Sequence, residues 1–161
     1  TGTGCIAVSL AKKIKQSTVS AFDISVEALN TAKTNARKNE VKVDFIEFDI
    51  LKKDTDFNKK FDIIVSNPPY VCEKEKEEMN DNVLKYEPHL ALFVPDSEPL
   101  LFYRAIALFA KKHLNVSGSL YFEINRVFGN EISIMLHEFG FSNIQLRKDL
   151  CGNDRMIKAQ L

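Results

Sequence analysis

Asn67-Pro68-Pro69-Tyr70 follows the apolar run "FDIIVS" and is more than an ordinary exit from a strand needs. Each proline fixes φ near about −65° and removes a backbone N–H. Asn67 and Pro68, each standing before a proline, are driven towards extended backbone. The product is a rigid segment rich in carbonyl oxygens and poor in donors. With the Asn67 side-chain oxygen added, two acceptors can converge on one NH2 group. Such a site selects a planar amide or an aromatic amine, whose nitrogen is a weak nucleophile because its lone pair is delocalised. Acceptors on its hydrogens hold that nitrogen in line with an electrophilic methyl group and favour the positive charge that develops on it. Tyr70 is placed to stack on the flat group. The alternative is a rigid turn after a strand.

A second set of residues sits near the start. "TGTG", Thr1 to Gly4, precedes a helix. Glycines let the backbone approach a ligand closely, and a helix N-terminus favours a negative group. Asp23 ends the next strand, roughly 20 positions on, where an acidic side chain can hold ribose hydroxyls. It can equally cap its own loop. Asp49, after "DFIEF", lies at the same edge of the sheet; it can accept a hydrogen bond from a base amine or cap Leu51. These features suit either a nicotinamide dinucleotide or S-adenosylmethionine, and "NPPY" decides for the latter. A methylsulfonium supplies the electrophile, so the chemistry requires no metal, nucleophilic serine or histidine base. His89, His113 and His137 stand in no triad-like arrangement and are expected to be structural.

These residues need elements to position them. "CIAVSLAKKI" places Ile6, Leu10 and Ile14 at helical spacing. "TVSAF" reads as a buried strand ending at Asp23. In "SVEALNTAKTNARKN", Ser25 is a plausible N-cap and Val26, Leu29, Ala32 and Ala36 share a face. "VDFIEFD" alternates as a strand does. "FDIIVS" is a continuous apolar run of the kind buried on both faces. After a long irregular section come a helix in "EPLLFYRAIALFAKKHL", a strand in "GSLYFEIN", and a helix in "NEISIMLHEFGF" closing near Gly140. Strands "NIQLRKDL" and "RMIKAQL" flank a turn at Gly152 and Asn153. The alternation predicts an α/β fold, doubly wound around a mostly parallel sheet, with a C-terminal antiparallel hairpin. The charge run "EKEKEE", Glu73 to Glu78, is expected to be a solvated helix turn or a mobile loop rather than a partner site.

Composition narrows the classes. At 161 residues the chain suits one domain with a real core. Lysine plus arginine and aspartate plus glutamate number 22 each. That weighs against affinity drawn mainly from nucleic-acid phosphates. Cys5, Cys72 and Cys151 have no CxxC spacing and no histidine in a ligand pattern, so they are expected to be free thiols in a reducing cytoplasm, with no metal. No secretory signal is apparent. "PLLFYRAIALFA" is too short to span a bilayer and is broken by Arg104.

With the glycine loop, Asp23, Asp49 and "SNPPY" in this order, the sequence resembles the class I S-adenosylmethionine-dependent methyltransferases, whose fold is Rossmann-like. More closely it is similar to the HemK/PrmC family, which methylates the glutamine side-chain amide in peptide-chain release factors. "YEPHLALFVPD", "LLFYRAI", "GSLYFEIN" and "DLCGNDRMIKA" carry the resemblance along the rest of the chain. "NPPY" alone is shared with amino-methyltransferases acting on adenine or cytosine; "EPHLALF" and "GNDR" narrow the match to the glutamine branch.

The resemblance implies that Gly2 and Gly4 lie beside the methionine part of the cofactor, Asp23 at its ribose and Asp49 near its adenine. Asn67, also facing the cofactor, and the Pro68 carbonyl would hold the glutamine amide, with Pro69 and Tyr70 completing the substrate side. Glu87 and Pro88 match a segment near the substrate pocket, Glu123 matches a recurrent glutamate suited to a structural hydrogen bond or a substrate contact, and Arg155 is expected to brace the terminal hairpin. Family members carry an acidic residue and a further glycine before "TGTG", and a helical domain that helps dock the release factor. The expectation is therefore a catalytic domain over residues 1–161, truncated at its N-terminus and lacking the usual first strand and the docking domain. Release factors are the expected partners; a membrane is not, nor is direct binding of nucleic acid. The competing readings are an adenine-N6 methyltransferase acting on RNA or DNA, and a truncated non-catalytic module of the same fold.

Overall fold

The computed structural model describes residues 1–52, 57–78 and 88–161. They fall into two compact units, Thr1–Lys52 and Lys53–Leu161.

In the first unit, α1 (Cys5–Lys13) leads to β1 (Ser20–Asp23), α2 (Val26–Lys38) and β2 (Asp44–Glu47). β1 and β2 pair in parallel, Ser20 opposite Asp44 and Asp23 opposite Glu47, with α2 as the crossover that parallel strands need. Ser25 caps α2 as expected, its hydroxyl oxygen accepting from Ala28 N at 3.1 Å. Glu27 in the first turn and Arg37 and Lys38 in the last complement the helix dipole. Leu29, Ala32 and Ala36 are buried, whereas Val26 is exposed. α1 is the helix that the spacing predicts, but its buried side is made by small residues. Ala7 and Val8 are its buried residues, and Ile6 and Ile14 are exposed. The cause is a close approach: a Cβ built on Gly4 would lie 2.9 Å from Ala32 Cβ, so α1 meets α2 through small side chains.

The second unit runs β3 (Phe61–Ser66), β4 (Val71–Cys72), a 3₁₀ turn (Glu73–Glu78), α3 (His89–Leu92), β5 (Phe93–Val94), α4 (Leu101–His113), β6 (Leu114–Glu123), α5 (Gly129–Glu138), β7 (Ser142–Lys148) and β8 (Asp154–Gln160). Four strands form a sheet in the order β3-β6-β8-β7, while β4 and β5 make a short parallel pair. β3 and β6 are parallel; β8 is antiparallel to both β6 and β7, which makes the closing hairpin expected from the sequence. Leu120, Phe122, Ile124, Ile157 and Ala159 are buried, as are Tyr103, Ile106, Ala107 and Ala110 of α4 and Ile132, Met135 and Leu136 of α5. Tyr103 meets Phe122 edge-on at 5.2 Å.

β3 corrects one expectation. Its apolar run suggested burial on both faces, yet Ile63 is 51% and Val65 39% exposed. Among the described residues β3 pairs with β6 alone and stands at the edge of its sheet, and Ile63 and Val65, two apart, share one exposed side of it. No helix among the described residues is long and apolar enough to cross a membrane.

Gly4 and Gly2 permit a paired stability test. Gly4 has φ +82° and no room for a Cβ; Gly2 has φ +55° and nothing within 4 Å of one. Left-handed backbone costs a non-glycine residue roughly 1–2 kcal/mol and overpacking roughly 1–3. Urea denaturation should therefore show Gly4→Ala losing about 3 kcal/mol and Gly2→Ala about 1. Equal losses would mean that the Ala32 contact is not confining.

Candidate functional site

The glycine loop, Asp23 and Asp49 come together within the first unit. The loop closes on itself through Gly4 N, which donates to Thr1 O at 3.0 Å. Asn35 of α2 holds it from the side, its Nδ2 donating to Thr3 O at 2.9 Å. Asp23 ties it to β1: Oδ2 accepts from Gly2 N at 2.8 Å and from Thr1 N at 2.9 Å, and Oδ1 accepts from Ser25 N at 2.9 Å. Burial pushes the Asp23 carboxyl up, but the hydrogen bonds from Ser25, the Thr1 amino group and Gly2 outweigh it and hold the group below its ordinary 3.8. The loop-capping alternative for Asp23 is thus realised. Phe48 N donates to Asp23 O at 2.9 Å, so Asp49 leaves β2 beside the point where Asp23 leaves β1. Asp49 Oδ1 accepts from Leu51 N at 3.0 Å, the capping role weighed above.

The "NPPY" segment belongs to the second unit, where β3 ends with Ser66 paired to Phe122 of β6. Asn67 is exposed, Pro68 is buried, and Pro69 and Tyr70 are half-buried. The exposed carboxamide therefore stands on an anchored proline. Tyr70 is held at two points. Its Oη donates to Glu123 Oε1 at 3.1 Å, and its carbonyl accepts from Asn125 Nδ2 at 3.1 Å. Burial, reinforced by the Glu123 charge, pushes the Tyr70 phenol above its ordinary 10.0, with Arg155 acting the other way. Of the two roles weighed for Glu123, the structural hydrogen bond is present. Arg155 braces the hairpin: Nε reaches Asp149 Oδ2 and Nη1 reaches Ile124 O, each at 3.4 Å.

Three residues here escaped the sequence reading. Asn125 is 5% exposed and fully engaged. Besides Tyr70 O, its Nδ2 donates to Glu75 Oε2 at 2.9 Å, its Oδ1 accepts from Val127 N at 3.1 Å, and its backbone N donates to Tyr103 Oη at 3.2 Å. Glu75 Oε2 also accepts from Cys72 N at 2.8 Å. "EKEKEE" is a helix turn as expected, with Glu73, Lys74 and Lys76 exposed, but Glu75 is a half-buried anchor and the exception to that reading. Tyr103 is wholly buried, and burial drives its phenol far up. The overlooked signal is Glu123-x-Asn125: residues two apart on an extended segment face the same side, and both reach Tyr70.

Cys5, Cys72 and Cys151 are all free thiols. Burial, then Glu75, raises the Cys72 thiol, which stays protonated at neutral pH. His113 is buried against Phe109, ring centroids 4.3 Å apart, and its Nδ1 donates to Lys59 O at 3.1 Å. Glu87 lies outside the described residues; Pro88 is exposed and its carbonyl accepts from Ala91 N at 2.8 Å as α3 begins.

Two measurements follow from this geometry. A carboxyl with a depressed folded pKa contributes stability that is complete above its unfolded pKa and lost as pH falls through the folded one. The stability gap between wild type and Asp23→Asn should be full above about pH 5 and close below it; a gap independent of pH would deny Asp23 its anchoring charge. Tyr70→Phe strands the Glu123 carboxylate and should cost about 1 kcal/mol in chemical denaturation. No loss would mean that the bond is replaced by water at no cost.

The sequence pattern of the Methyltransferase small domain family matches residues 1–88. A release factor glutamine methyltransferase from Flavobacterium psychrophilum is 55% identical over 159 residues, covering 99% of this chain and 55% of that protein. Its counterpart from Bacteroides thetaiotaomicron is 46% identical over 99% of this chain and 57% of its own length. The chain spans about half the length of the curated relatives it matches. The crystal structure of a methyltransferase from Pyrococcus furiosus superposes with a TM-score of 0.69 at 19% identity, over 99% of this chain and 70% of that one, which shows a shared fold. With the glycine loop, its aspartate and the start of the second unit all inside the matched residues, the chain belongs to the methyltransferase small domain family.

Proposed function

We propose that residues 1–161 are the catalytic part of a release factor glutamine methyltransferase. It moves a methyl group from S-adenosylmethionine to the side-chain amide nitrogen of the glutamine in a Gly-Gly-Gln motif. The observation that carries this reading is the exposed Asn67 carboxamide set on buried Pro68, at the end of a strand whose exit is pinned. The shared name of the curated relatives supports glutamine over a nucleobase as the acceptor. The equal count of 22 cationic and 22 anionic residues agrees, since a nucleic-acid enzyme draws on phosphate contacts.

The residues of the first unit fit the methyl donor. The left-handed Gly2 leaves open space where a Cβ would stand, so a ligand can approach the backbone there. An ionised carboxylate has about four acceptor positions. Asp23 uses three on Thr1, Gly2 and Ser25, which leaves one at Oδ1 for a ribose hydroxyl. Asp49 takes the adenine end. When bound, the donor supplies a methyl group on a positively charged sulfur, a bond that breaks as a nucleophile attacks the carbon.

The second unit supplies the acceptor side. The Asn67 side-chain oxygen and the Pro68 carbonyl accept the two hydrogens of the glutamine NH2 and set its plane. Pro69 keeps that carbonyl in place, and Tyr70 packs beside the amide. The nitrogen gains the methyl group and gives up one proton to water, so the product is a neutral secondary amide. Acceptors aimed at the N–H bonds favour the charge that appears before the proton leaves.

The test uses the full-length protein, S-adenosylmethionine and a release factor, with peptide mass mapping. One methyl on the glutamine of the Gly-Gly-Gln peptide is expected. Asn67→Ala should lower turnover by about 100-fold, as misplacement of a reacting group does. Label entering RNA or DNA instead would overturn the substrate, and near-normal turnover by Asn67→Ala would overturn the role of that residue.

A further inference from the structure

We infer that Asn125 and Glu75 form a clamp that positions "NPPY" for methyl transfer, a role that rests on the reading of that segment as the acceptor site. Pro68 and Pro69 have no backbone donor, so the pairing of β3 ends at Ser66 and main-chain pairing resumes only at Val71, in β4 against β5. Between the two strands the segment is held by side chains. Asn125 Nδ2 has two hydrogens, and both are committed: one to Tyr70 O at 3.1 Å, the other to Glu75 Oε2 at 2.9 Å. The same Glu75 oxygen takes Cys72 N at 2.8 Å. The carboxylate and the carboxamide thus grip the main chain on either side of Val71. Asn125 is itself fixed, its Oδ1 by Val127 N and its backbone N by the buried Tyr103 hydroxyl.

Asn125 and Glu75 touch no reacting atom. They act through Tyr70, whose carbonyl Asn125 occupies, so that the Pro68 carbonyl and the Asn67 amide are the acceptors presented to a substrate. The chemistry of the pair is directional. The shared Glu75 oxygen needs only to accept, which a glutamine side-chain oxygen can also do. Asn125 needs to donate twice, which an aspartate cannot: a carboxylate there would face the Tyr70 carbonyl and the Glu75 carboxylate, three acceptors with no proton between them.

Kinetics on the full-length protein separate a positioning role from a merely structural one. Asn125→Ala and Glu75→Ala should each lower kcat and kcat/KM for the acceptor together by about 10- to 100-fold, with KM for S-adenosylmethionine unchanged. Glu75→Gln should recover most of that loss, and Asn125→Asp should be no better than Asn125→Ala. The double alanine variant should be little worse than either single one, because the two act as a unit. Amide hydrogen exchange should show the Cys72 N–H and its neighbours opening in both alanine variants while β6 and β8 stay protected. The acceptor used is whichever one the wild type methylates. If that is a nucleobase, the proposed substrate fails and the kinetics still judge the clamp; if no acceptor is methylated, exchange at Cys72 judges it. Wild-type kcat or wild-type exchange at Cys72 in the alanine variants would overturn the clamp, as would a Glu75→Gln variant as impaired as Glu75→Ala.

Discussion

A main chain that passes through two prolines in succession gives up two hydrogen-bond donors, and everything around "NPPY" answers that loss. An extended segment is ordinarily held by its neighbour strand through alternating donors and acceptors, and here the ladder ends at Ser66 opposite Phe122. Main-chain pairing resumes only in β4, on β5, and between the two the fixing points are side chains from the exit of β6. Glu123 takes the Tyr70 hydroxyl and Asn125 takes the Tyr70 carbonyl. Those contacts depend on the parallel register of β3 on β6, and that register depends on a core in which Leu120 and Phe122 are buried. The apolar packing of the second unit therefore has a chemical consequence. It sets the strand end from which Asn67 and Pro68 extend.

Electrostatics at this exit work in one direction. Glu123 and burial keep the Tyr70 phenol protonated well above neutral pH, so Tyr70 is a hydrogen-bond donor and not a base. Arg155 approaches the same hydroxyl and is tied back to the hairpin turn by Asp149. The Asn153 amide holds the Asp149 carboxyl below its ordinary 3.8 against burial, helped by Cys151 and Arg155. A turn between β7 and β8, remote in sequence, in this way positions the cation that acts on the Tyr70 phenol.

What the sequence disclosed was whatever has a local cause. Ser25 before a helical pattern, proline after an apolar run, and two short strands around Gly152 each announce themselves within a few residues, and each stands where expected. The misreadings all came from contacts that a linear pattern does not encode. The helical spacing of Ile6 and Ile14 did not say which side of α1 is covered, and the 2.9 Å approach at Gly4 goes with small side chains there while both isoleucines are exposed. Ile63 and Val65 looked doubly buried because apolar runs signal composition and not sheet position. Glu75 was lost among five charged neighbours, "EKEKEE" giving no hint that one carboxylate has a buried asparagine to meet. The candidate site was legible at the motif and illegible at its supports, since the supports come from β6 and from a turn after β4.

The groups that did not enter the site bear on its chemistry as much as those that did. An amide nitrogen accepting a methyl from a cationic donor has no need of a strong base before the transfer, because its proton becomes acidic only once the new bond has formed. What it needs is acceptors in fixed positions. Four reactive side chains of the second unit are placed accordingly. His113 is stacked on Phe109 and spends its Nδ1 on Lys59 O. Cys72, the thiol nearest "NPPY" in sequence, is buried beside a carboxylate and kept in its unreactive form. Tyr70 and Tyr103 are both pushed away from ionisation. On the proposed reading, carbonyls and carboxamides in fixed positions, with Tyr70, Cys72 and Tyr103 held protonated, suit holding a weak nucleophile still rather than activating it.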